Sequence, residues 1–77
     1  MTDSILLVSR ISESGMTYSE IAAKLGLTRQ GLWKKIHNHS EFKLSEIEKL
    51  MILLGLDMET SSEIFFRNYV DKMATAS

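Results

Sequence analysis

Residues 17–37 read TYSEIAAKLGLTRQGLWKKIH, and the parsing of this stretch decides the fold. Thr17 followed by Glu20 is a T-x-x-E capping box, in which each side chain satisfies a backbone N–H at a helix start. Met16 and Ile21 hold the N′ and N4 positions of the accompanying hydrophobic staple. Ile21, Ala22 and Leu25 then point inward at helical spacing. Gly26 stops the helix, because a left-handed residue past the last turn is cheapest as glycine. The design repeats at once. Thr28 is a second N-cap, Leu27 and Leu32 are a second staple, and Leu32 with Ile36 is the inner stripe of a second short helix. Arg29, Gln30, Trp33, Lys34 and His37 are left on its outer face.

The flanking segments are helical too. A first helix is expected over Ser4–Ser14, with Asp3 as N-cap, Gly15 as terminator, and Ile5, Val8 and Ile11 (joined by Leu7) as its apolar face. The loop His37–Glu41 leads to a fourth helix. Ser45 with Glu48 is a formal capping box there, but Phe42 and Ile47 make a staple only if Lys43 is the N-cap, and the Lys43 start is preferred. Ile47, Leu50, Met51 and Leu54 form its core face, and Gly55 ends it with Leu56 folding back. Thr60-Ser61-Ser62-Glu63 reads as one more cap, opening a fifth helix through Ile64, Phe65, Phe66, Tyr69 and Val70. No period-two strand pattern and no repeat occurs. The expected fold is all-α, a bundle of about five short helices in one domain over residues 1–73, with 74–77 as a frayed tail.

Composition narrows the function classes. Apolar residues are 44% and charged residues 25%, too apolar for a disordered chain. The longest apolar run, Leu50–Leu54, is five residues, against the ~20 that span a bilayer. Cysteine is absent, which excludes disulfides and thiolate metal sites and suits a reducing cytoplasm. No phosphate loop, paired-carboxylate or nucleophile–base signature points to catalysis. His37 and His39, two apart, splay to different faces of a helix and give no metal pair. The expectation is therefore no enzyme, metal, cofactor or small-molecule substrate. Net charge is −1, yet residues 17–43 hold five basic and two acidic groups while the rest hold four and eight. Segregated positive charge of this kind is the footprint of a polyanion partner.

A wider likeness rests on particular residues. Ala22 is small where one helix must let the next cross closely, Gly26 falls four residues later at the turn, and Leu27, Leu32 and Ile36 follow. With the ending Lys34-Lys35-Ile36-His37, these make Tyr18–His37 resemble the helix-turn-helix of phage Cro and repressor proteins, which share the lambda-repressor-like fold. The continuation Ser40-Glu41-Phe42, Ile47-Glu48-Lys49-Leu50 and Leu54-Gly55-Leu56 is similar to small phage and Gram-positive members, so the likeness spans roughly residues 4 to 66.

The resemblance implies a sequence-specific regulator that binds double-stranded operator DNA in a bacterial cytoplasm, with residues 28–37 as recognition helix in the major groove. Thr17 and Tyr18 would touch a phosphate. Arg29, Gln30 and Lys34 would meet base edges or nearby phosphates, Arg suiting guanine and Gln adenine. Thr28, Trp33 and His37 complete the DNA-facing set, and His39 and Lys43 would anchor the backbone. Lys35 either joins this basic face or packs its stem inward. Gly31 lies inside the recognition helix, where glycine costs ~1 kcal/mol relative to alanine; it loosens the helix or leaves room for close approach. Trp33 stands open between core, DNA contact and protein partner. Ile64, Phe65, Phe66, Tyr69 and Val70 exceed what one small bundle covers; some are expected in the core, and the remainder implies a homodimer or partner interface. The alternative is a protein-binding antirepressor or corepressor of the same fold that pairs with a phage repressor, favoured by the negative net charge, Trp33 and the aromatic C-terminal segment.

Overall fold

The computed structural model describes residues 1–66, and every regular element among them is helical. Four α-helices, α1 (Ser4–Ser14), α2 (Tyr18–Leu25), α3 (Arg29–Ile36) and α4 (Leu44–Leu54), precede a fifth. This last, α5, opens as a single α turn, Met58–Ser61, and runs on as a π-helical turn, Ser62–Phe66. The protein is a small all-α bundle, as the spacing of its apolar residues leads one to expect.

Local chemistry sets the boundaries. Asp3 caps α1, its carboxylate accepting the Leu6 N–H at 3.1 Å. The Thr17–Glu20 box is closed in both directions at 3.1 Å, and Thr28 Oγ1 accepts the Gly31 N–H at 3.0 Å. Gly26 ends α2 in the left-handed region at φ 72°, so three residues join α2 to α3. Lys43 is the N-cap of α4, and Phe42 packs against the core beside buried Ile47. After Gly55, the Leu56 N–H turns back onto the Met51 carbonyl at 2.9 Å.

Leu7, Ile21, Leu32, Ile36, Leu50 and Ile64 are wholly enclosed, with Ile11, Ala22, Leu25, Ile47 and Phe65 around them. α2 packs on α3 and α4, while α1 meets α3, α4 and the last turn of α5. The chain start is tied down as well. The Asp3 N–H bonds the Ile64 carbonyl at 2.7 Å, and Ser4 Oγ donates to the Ile36 carbonyl at 2.6 Å.

Three expectations need correction. Ile5 is 86% exposed, because the inward stripe of α1 is Ser4, Leu7, Val8 and Ile11, with the Ser4 hydroxyl taking the inner place to reach Ile36. The fifth helix starts at Met58 and not at Thr60. Its cap is Asp57, whose carboxylate accepts the Thr60 N–H at 2.7 Å and is held below its ordinary range chiefly by that bond. Finally, Ile64 and Phe65 belong to this chain's own core, 0% and 5% exposed, and so are removed from the expected dimer surface. Phe66 is half-buried against the same core. Tyr69, Val70 and the tail 74–77 lie outside the described residues.

Candidate nucleic-acid interface

An eight-residue helix that buries Leu32 and Ile36 must turn its other residues outward. Arg29, Gln30, Trp33, Lys34 and His37 are all exposed. No acidic residue occurs in α3, and neither Arg29 nor Lys34 has an ion-pair partner among the described residues. At the start of both α2 and α3 the first two backbone N–H groups have no intrahelical partner, because the threonine caps satisfy only the third. Those free donors, of Tyr18 and Ser19 in α2 and of Arg29 and Gln30 in α3, carry the positive ends of the helix dipoles.

The structure brings five of the expected residues into one surface, while Thr28 serves as the cap of α3 and His39 packs on Trp33. Tyr18, Arg29, Gln30, Trp33 and His37 line a shallow hollow between the start of α2 and the outer face of α3. A second hollow shares Tyr18 and Arg29 and adds Thr17, Ser19 and the Val8, Ile11 and Met16 side chains. Thr17 is partly committed elsewhere, its N–H held by Glu20 and its oxygen by the Glu20 N–H. Its hydroxyl proton remains for a ligand. The same box puts the exposed Glu20 carboxylate at this edge of the surface, a like charge to any phosphate there.

Trp33, the sole tryptophan, is 51% exposed and therefore not core. Its indole lies 4.4 Å from the His37 ring at 41° and 5.4 Å from the His39 ring at 25°, so two imidazoles from the end of α3 and the following loop hold it. That loop is built by Asn38. The residue sits at φ 65°, and the His39 and Asn38 N–H groups return to the Lys34 and Lys35 carbonyls at 2.8 and 3.3 Å. This is a Schellman end with asparagine in the left-handed position. The Asn38 amide also grips Thr2, accepting its N–H at 2.7 Å and donating to its carbonyl at 2.9 Å.

Lys35 leaves the basic face. Its ammonium meets Glu46 Oε1 at 2.5 Å with both side chains nearly enclosed, and the same oxygen accepts the Lys43 backbone N–H at 2.8 Å. Burial pushes the Glu46 carboxyl up, but Lys35 and the Lys43 N–H outweigh it and hold it below 4.5. Lys34 and Lys43 remain exposed, outside the two hollows. Glu46 and Asn38 were missed in the sequence. Asn38, a left-handed-tolerant residue just past Lys34-Lys35-Ile36, carries a usable signal; Glu46 is the N3 residue that follows from a Lys43 start of α4.

No group of three or more metal-ligating side chains occurs among the described residues, nor a helix long and apolar enough to cross a membrane. The chain matches no protein-family profile, no curated protein and no solved structure.

Proposed function

We propose that the protein is a sequence-specific DNA-binding regulator of the phage Cro and repressor type, which inserts α3 into the major groove of an operator. The observation that carries this reading is the outer face of α3. Arg29, Gln30, Trp33 and Lys34 stand exposed with no acid among them, while the one lysine that would have blurred the face, Lys35, is turned inward onto Glu46. Arg29 and Gln30 offer bidentate groups for guanine and adenine, and Lys34 and Lys43 supply phosphate contacts. The free N–H groups at the starts of α2 and α3 add donors for the sugar–phosphate backbone. Acting as a two-fold dimer, it would place two α3 helices ~34 Å apart on half-sites one turn apart and regulate by occupying the promoter. Its setting would be the cytoplasm of a bacterial host carrying the phage or prophage.

The test is selection of bound sequences from a random duplex pool, followed by anisotropy titrations over a salt series. A selected palindrome bound with strong salt dependence is the expected result, and failure to enrich any sequence would sink the reading.

A second reading has one observation in its favour. An indole half open to solvent suits a protein partner as well as a groove, and the same surface would then serve an antirepressor or corepressor paired with a phage repressor. Loss of repressor association in Trp33→Ala, with no DNA binding by the wild type, would select it.

A further inference from the structure

Among the exposed groups of α3, Trp33 is chemically the odd one. Arg29, one turn before it, and Lys34, beside it, are cations, and Gln30 is an amide. All three seek hydrogen-bonding edges or phosphate oxygens. An indole presents mostly apolar surface and a single N–H donor. On the major-groove edge of DNA, the one apolar feature is the C5-methyl group of thymine.

The indole is also held in place. His37 and His39 pack against it at 4.4 and 5.4 Å, and the Schellman end at Asn38 fixes the backbone that carries both imidazoles. A side chain fixed by its neighbours loses little freedom on contact, so it can read a feature as small as a methyl group. Tyr18, Arg29, Gln30 and His37 share the hollow that it walls, so a base edge entering there meets the indole and the Arg29 and Gln30 heads together.

We propose that Trp33 is a specificity-determining residue that reads a thymine methyl group in each half-site. This rests on the DNA-binding reading above, and its test separates the two. A duplex selected with the full chain is rebuilt with each thymine replaced, one at a time, by deoxyuridine, which lacks only the methyl group. Wild type and Trp33→Ala are then titrated on the set. The expected result is one thymine per half-site whose methyl loss weakens the wild type about fourfold, the value of one methyl removed from water, and leaves Trp33→Ala unaffected.

Because Trp33 is the sole tryptophan, wild-type fluorescence provides a readout that needs no variant. Its emission should shift to the blue on the thymine duplex and shift less on the deoxyuridine duplex. A flat scan with binding intact overturns the proposal and leaves the DNA reading standing. So does sensitivity confined to methylphosphonate linkages, which would make the indole N–H a phosphate donor. Failure to select any duplex overturns both.

Discussion

Lys35 Nζ lies 2.5 Å from Glu46 Oε1, and this one carboxylate oxygen fastens the last turn of α3 to the first turn of α4. Breaking a pair so enclosed leaves an uncompensated charge, which costs more than the pair itself contributes. Glu46→Ala should therefore lower stability by about 3 kcal/mol, and Glu46→Gln, which leaves the same Lys35 charge unpaired but retains an acceptor for both donors, by about 2 kcal/mol. Urea unfolding at neutral pH measures both.

The same carboxyl makes stability depend on pH. Its folded value is lowered from 4.5, so its contribution is complete above that value, shrinks as the pH falls below it, and is gone once the pH drops past the lowered folded value. Wild type should lose stability in that acid window more steeply than Glu46→Gln. Parallel pH curves for the two would place the acid sensitivity elsewhere.

Lys34 and Lys35 are adjacent in sequence and opposite in consequence. If the proposed two-fold DNA complex forms with Lys34 on phosphates, Lys34→Ala would remove two such contacts and should flatten the slope of log K against log salt by about 2. Lys35→Ala should leave that slope alone while lowering the melting temperature, because its partner is Glu46 and not DNA. Equal slopes in the two variants would contradict this division.

Gly31 pits helix propensity against a cap. Alanine there gains up to ~1 kcal/mol from propensity, but its Cβ would stand 3.1 Å from the Thr28 hydroxyl that caps the helix. The hydroxyl can give by a few tenths of an ångström, so Gly31→Ala should stabilise by about 0.5 kcal/mol. A thermal melt gives the sign. If operator binding weakens while stability rises, Gly31 serves close approach to DNA.

Phe65 distinguishes core from interface. It meets Phe42 edge-on, 5.6 Å between ring centroids, and is 5% exposed. Phe65→Ala should cost about 3–5 kcal/mol. Because this loss is within one chain, it should not change with protein concentration. A concentration-dependent loss would restore Phe65 to a subunit interface.

Where the chain states its own boundaries, those boundaries were legible. The Thr17–Glu20 box, the Thr28 cap, and Gly15, Gly26 and Gly55 mark helix ends through local hydrogen bonds and φ values that need no tertiary partner. The outer set of α3 followed from Leu32 and Ile36 by periodicity alone. The start of the fifth helix is a local miss, set by the Asp57–Thr60 cap and not by Thr60 itself; the other failures depend on neighbours distant in sequence. Ile5 is apolar and fits an inward stripe by spacing, but the Ile36 carbonyl draws Ser4 inward instead. Ile64 and Phe65 looked surplus until the packing of α5 on α1 filled the core with them. Glu46 is one of two acids on α4, and only the approach of Lys35 from the preceding helix gives it a reason to be buried.

The grip of Asn38 on Thr2, together with the bond from Asp3 to Ile64, has a consequence for the order of folding. The α2–α3 hairpin is capped at both starts and closed by three residues, so its contacts are local and cheap in loop entropy. The latch at the chain start must wait until α5 arrives from the far end of the described sequence. Trp33, clasped by its own helix end, should gain its native emission early in refolding, while the Asp3 amide should gain hydrogen-exchange protection last. The surface that faces outward would thus be assembled before the bundle that supports it is shut.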